Sequence, residues 1–117
     1  MRLLIAVINE KDRLDEILAG FLELGITGAT ILDSRGMGRA LSREAEDDPP
    51  AFAGLQSLIG RTRPENVTLF SVLPDDELAA RALSVIEEAC GGLDSPGTGI
   101  AFTVPIDRAL GVGPNPA

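Results

Sequence analysis

Apolar and polar positions switch between two periods along this chain. Leu3, Leu4, Ile5, Ala6, Val7 and Ile8 form an unbroken apolar run, the pattern of a strand covered on both faces. Leu14, Ile17, Leu18, Phe21 and Leu22 then recur at helical spacing, with Lys11, Arg13, Asp15, Glu16 and Glu23 mostly opposite, which predicts an amphipathic helix. Gly25 is placed to stop it. Ile26 to Asp33, rich in Thr and Ile, reads as a second strand, and Val67 to Leu73 as a third. Pro74-Asp75-Asp76-Glu77 is an acidic helix start. Leu78, Ala82, Val85, Ile86 and Ala89 form the buried stripe of that helix, and Gly91-Gly92 ends it. A tight loop from Asp94 to Gly99 leads into a fourth strand, Ile100 to Val104.

The stretch 34–65 has another character. It holds Gly36, Gly38, Pro49, Pro50, Gly54, Gly60 and Pro64, and an acidic cluster of Glu44, Glu46, Asp47 and Asp48. Phe52, Leu55, Leu58 and Ile59 sit at helical spacing within it, so a short helix is expected there, with 38–50 the most mobile part. The order strand-helix-strand, long loop, strand-helix-strand defines an α+β fold, a ferredoxin-like βαββαβ sandwich. Residues 1–110 are expected to form one domain, with 36–65 as the insert between the second and third strands and 111–117 as a flexible tail. Two helices cover only one face of such a sheet. Yet the first strand is apolar on both, with Leu3, Ile5 and Val7 on one side and Leu4, Ala6 and Ile8 on the other. The uncovered face predicts an interaction surface, most simply covered by further copies of the chain, or else by the insert folding back.

Composition narrows the chemistry. Eighteen acidic against ten basic residues give a net charge of −8, which repels a phosphate backbone; with no Trp or Tyr and only 4 Phe, nucleic acid is excluded as a partner. The absence of His removes Ser-His and Cys-His nucleophiles and histidine-based metal sites. Cys90, Met1 and Met37 are too few for a soft-metal centre. Cys90 falls at a helix end, where the dipole raises a thiol pKa, and Asp33 and Asp107 are carboxylates with no partner visible in the sequence. The acidic cluster lacks the spacing of a calcium loop and reads as solvated charge. No catalytic constellation emerges, so a non-enzymatic protein is expected. The opening apolar run is too short for a signal peptide, and no later stretch reaches the ~18 apolar residues of a membrane span. The chain therefore reads as cytoplasmic, with no membrane insertion.

Two groups of residues are left as ligand candidates. Gly97-Thr98-Gly99 offers backbone N–H groups to an anion, or is simply the turn into the last strand. Arg35 and Arg39 flank Gly36 and Gly38 at the base of the insert. These features sit in a longer set: Leu3 to Ile8 with Leu14 to Leu18, Gly25-Ile26-Thr27-Gly28-Ala29-Thr30-Ile31, Arg35 to Arg39, Gly97 to Phe102, and Val104 to Asp107. Taken together the set resembles the PII nitrogen-regulatory signal-transduction family, from Leu3 to about Leu110. The resemblance implies a homotrimer with sheets facing inward, a long T-loop (36–65) that contacts a target protein, and an adenine nucleotide, ATP or ADP, bound between subunits; the charge balance adds AMP as a candidate. The resemblance also implies Arg35, Gly36, Gly38, Arg39, Gly97, Thr98, Gly99 and Arg108 as ligand-binding residues. Ile100 stands where the family has a phosphate-binding lysine, Gly111 and Gly113 fall where it has arginines, and no Tyr is present for uridylylation. ATP affinity is therefore expected to be weak. The alternative within the same fold is a CutA-like trimer that binds metal or a small ligand.

Overall fold

The computed structural model describes residues 1–37, 66–94 and 97–113. Strands β1 (Arg2–Ile8), β2 (Thr30–Ser34), β3 (Asn66–Leu73) and β4 (Gly99–Pro105) form one sheet in the order β2-β3-β1-β4, antiparallel throughout. Helices α1 (Leu14–Glu23) and α2 (Asp76–Ala89) complete the ferredoxin-like α+β arrangement expected from the sequence. The insert, its expected helix at 52–59 and its acidic cluster lie outside the described residues.

The core is built on alternate residues. Leu4, Ala6 and Ile8 of β1 and Val67, Leu69 and Ser71 of β3 are buried on the same side of the sheet, beneath Ile17 and Phe21 of α1 and Ala79, Ala82, Ile86 and Ala89 of α2. Alanines on α2 keep that helix close to the sheet. The two helices also approach closely at Gly20, where an added Cβ would lie 2.5 Å from Val85 Cγ1. The stripes shift slightly from the expected ones. Leu22 is exposed, because α1 turns it to the solvent side, while Ala79 replaces Leu78 and Val85 among the fully buried positions of α2.

The helix ends follow their sequence signals. Asp75 caps α2, its carboxylate accepting from the Leu78 N–H at 2.8 Å. Gly25, at φ 84°, ends α1: Ile26 N–H reaches back to the Phe21 carbonyl (2.9 Å) and Gly25 N–H to that of Leu22 (3.0 Å). This closure explains why β2 starts at Thr30 rather than at the expected Ile26. Ile26 is spent on the helix cap and the core, and the Gly28 carbonyl accepts from the buried Ser71 hydroxyl (2.5 Å).

Among the described residues no helix lies on the other face of the sheet. Its residues form cross-strand rows: Leu32, Thr68, Val7 and Ile100; then Thr30, Phe70, Ile5 and Phe102; then Val72, Leu3 and Val104. Ile100, Phe102 and Leu32 are 56%, 40% and 51% exposed, so the apolar face expected from β1 extends across the sheet. β1 is thus fully covered on one side only, and Leu3, Ile5 and Val7 are half-buried by their neighbours in the rows. No helix among the described residues is long and apolar enough to cross a membrane.

Candidate ligand site

The register sorts the expected site residues by the end of the sheet they occupy. Ile8 pairs with both Val67 and Gly99, and Ser34 pairs with Asn66. One end therefore carries Arg35 and Gly36 after β2, Asn66 at the start of β3, Asn9 after β1, and Gly97, Thr98 and Gly99 before β4. Arg2 pairs with Pro105 at the opposite end, and Arg108 follows there, separated from Gly99 by the length of β4, roughly 20 Å. A single subunit thus brings Arg35 and Gly36 to the same end as the glycine turn, and does not bring Arg108 there. Gly38 and Arg39 lie outside the described residues.

The glycine turn is shaped by its two glycines. Gly97 has φ 81° and Gly99 φ 140°, values that side chains with a Cβ rarely adopt. At Gly99 a Cβ would also run into the Val7 carbonyl oxygen of the neighbouring strand. Gly99 is therefore what lets β4 lie against β1 from its first residue. Asn9 meets the turn from the end of β1. Its side-chain Nδ2 donates to the Gly97 carbonyl at 2.7 Å, and its backbone N–H to the Thr98 carbonyl at 3.4 Å.

On the β2 side, three polar side chains cluster at this end of the open face. Ser34 donates its hydroxyl proton to Asn66 Oδ1. A serine hydroxyl has one proton, so at 2.8 Å the Thr68 hydroxyl donates to Ser34 Oγ. Asn66 is 5% exposed, and its Nδ2 lies 3.6 Å from where a Cβ on Gly36 would stand. A Cβ there would make only ordinary van der Waals contact, so Gly36 lies directly beside the buried Asn66 amide without a close approach. Arg35, next to it, is exposed.

Neither Asn9 nor the Ser34-Asn66-Thr68 group emerged from the sequence as a site. The available signal was a polar residue at the boundary of an apolar strand, Asn9 just after β1 and Asn66 just before Val67. Asp33, isolated in sequence, pairs with Lys11 at 3.6 Å across the turn before α1. The Cys90 thiol is raised, the direction expected at a helix end, first through burial and then through Glu10, against a lowering by Arg13, with Glu16 the smallest contribution. It lies just beyond the end of α2, seven residues before Gly97, and the net effect of its surroundings is to keep the thiol protonated and unreactive.

The described residues thus form a small α+β unit with an apolar sheet face and with Arg35, Gly36 and the glycine turn at one end of that sheet. The family profile described as Nitrogen regulatory protein P-II matches residues 1–114, and the chain belongs to that family. Its members are regulatory signal-transduction proteins, non-enzymatic and typically trimers that bind partner proteins. Comparison with individual curated proteins returns no match.

Proposed function

We propose that this chain is a cytoplasmic homotrimeric sensor that binds a small anionic molecule between subunits and signals to a target protein through residues 36–65, in the regulation of nitrogen metabolism. Adenine nucleotides are the first ligand class for this site. The observation that carries the reading is the layout of the open face. Arg35 and Gly36 lie beyond the β2 edge and the glycine turn beyond the β4 edge, at the same end of the sheet. Within one subunit β3 and β1 stand between them, a gap of about 14 Å at ordinary strand spacing. Packing of copies through their apolar faces sets the β2 edge of one beside the β4 edge of the next. That closes the gap and completes the site from two subunits, with Arg108 free to be supplied by either.

Charge selects the ligand. A triphosphate brings about four negative charges to a protein of net charge −8. Ile100, Gly111 and Gly113 give it no cations at three positions where the family resemblance implies them. Arg35, Arg39 and Arg108 with backbone donors suit a smaller charge, such as that of AMP. Sedimentation at micromolar concentration, followed by calorimetry against AMP, ADP and ATP with and without magnesium, tests both halves. The expected result is a trimer that binds AMP or ADP at least as tightly as ATP. A stable monomer overturns the assembly, and tight magnesium-dependent ATP binding overturns the ligand preference.

A further inference from the structure

We propose that Asn9 is the positioning residue of the Gly97–Gly99 turn: it fixes the direction of the turn's peptide groups and, resting on the functional reading above, the affinity of that turn for an anionic ligand. Asn9 engages two successive carbonyls, Gly97 through Nδ2 at 2.7 Å and Thr98 through its backbone N–H at 3.4 Å. The backbone contact is long, so the side-chain bond is the stronger hold. The acceptor is a carbonyl, which also settles which amide atom of Asn9 faces it, since only Nδ2 donates.

The consequence follows from peptide geometry. In a trans peptide the N–H of the next residue points opposite to the carbonyl. Drawing the Gly97 and Thr98 carbonyls toward β1 turns the N–H groups of Thr98 and Gly99 away from it, toward the outer edge of β4. β4 is an edge strand, so that side faces away from the sheet. Successive N–H groups turned to one side form the kind of concavity that accepts an anion. The glycines at φ 81° and 140° permit this conformation, but glycines permit many others. A donor from outside the turn is what selects one of them. The selection matters more here because Ile100 follows the turn, so the adjacent position contributes no cation and affinity leans on the direction of the peptide dipoles.

The test uses the full chain with Asn9→Leu and Asn9→Asp. Both keep the branching of asparagine and remove the donor, and they differ in charge. Amide hydrogen exchange is read at residue 9, whose N–H is held by the Thr98 carbonyl, and at Ile100, whose N–H faces Val7 across the β1–β4 pairing, with Leu4 and Leu69 as core references, and AMP affinity is read by calorimetry. Loss of one hydrogen bond should speed exchange in the turn about fivefold to tenfold while the core references hold. AMP affinity should fall about tenfold in Asn9→Leu and further in Asn9→Asp, where a negative charge is added. Unchanged exchange in the turn overturns the role of Asn9 whatever the ligand result. Faster exchange with unchanged AMP affinity overturns its link to binding. Absence of AMP, ADP and ATP binding in the parent chain overturns the functional reading instead, and the exchange ratio then decides by itself whether Asn9 sets the turn.

Discussion

The two faces of this sheet carry side chains of nearly the same type with opposite fates. Leu4, Ala6 and Ile8 are fully buried under α1 and α2, while Leu3, Ile5 and Val7, one residue out of phase, face a surface that no helix among the described residues covers. Burial of a large aliphatic side chain is worth about 1.5–3 kcal/mol wherever the cover comes from. The covered face therefore contributes to the stability of one subunit, and under the proposed assembly the open face contributes to association instead. The difference teaches that hydrophobicity in a strand reports how many faces will be covered, without saying by what.

The sharpest way to break the comparison is a charge on each face. Leu4→Asp places an uncompensated carboxylate in the core, at a cost of about 3–5 kcal/mol, a large share of the ordinary stability of a small domain. Loss of the cooperative thermal transition by circular dichroism is the expected result. Ile5→Asp lies on the open face, and under the proposed assembly it yields a folded monomer by sedimentation and circular dichroism. A trimer that survives Ile5→Asp, or a Leu4→Asp chain as stable as its parent, would erase the distinction between the faces.

Much of this was legible in the sequence because burial leaves a period. The alternation across β1, the stripe of α1 and the acidic start of α2 each require particular residue types at particular spacings, and the elements formed where those spacings stood. The failures were at places where one residue serves two structures. Ile26 has the composition of a strand residue, yet it closes α1 through the Phe21 carbonyl, and β2 starts four residues later. Leu22 fits the helical period and still faces solvent, since it lies at the edge of the stripe and Ile17 and Phe21 take the buried positions of α1. At the candidate site the glycines were visible because positive φ demands them. Asn9 and Asn66 were not, because a hydrogen bond to a residue eighty-eight or thirty-two positions away has no local pattern.

Gly99 tests the edge where the open face meets the glycine turn. Gly99→Ala combines a strained backbone conformation, of order 1–3 kcal/mol, with a collision against the Val7 carbonyl. Gly111 shares the left-handed region at φ 77°, but nothing lies within 4 Å of its Cβ position. Gly111→Ala should therefore cost only about 1 kcal/mol by urea denaturation. Equal midpoints for the two variants would show that β1 and β4 can part without penalty at this end.

The attachment of the helical cover is probed by smaller changes. Asp75→Ala removes the carboxylate that holds the Leu78 N–H, at a cost of about 1 kcal/mol in the denaturation midpoint. Asp75→Asn, which still offers an oxygen to that N–H, should recover most of the loss. No recovery would mean that charge at the helix start matters more than the cap itself.

The smallest effect is expected where α2 is tied to the sheet by charge. Arg2 Nε donates to Asp76 Oδ1 at 2.6 Å, joining the first residue of β1 to the first turn of α2. The guanidinium lowers the Asp76 carboxyl from its ordinary value, chiefly by this hydrogen bond and next by its charge. A carboxyl depressed on folding contributes stability that is fully present above its unfolded pKa and is lost as pH falls through its folded one. Arg2 is raised by the same contact, and its titration lies too far into the alkaline range to matter in ordinary buffers. Thermal midpoints of the parent and Asp76→Asn should therefore differ slightly at neutral pH and converge as the solution becomes acidic. Asp76 also sits at a helix N-terminus, where any negative charge is favoured, so loss of its charge alone would give the same acid convergence. The double-mutant cycle with Arg2→Met separates the two causes. Coupling between the positions that weakens with added salt assigns the difference to the ion pair. Coupling absent at low salt assigns it to the dipole of α2, and would show that the helices hold to the sheet through their buried stripe without help from this bridge.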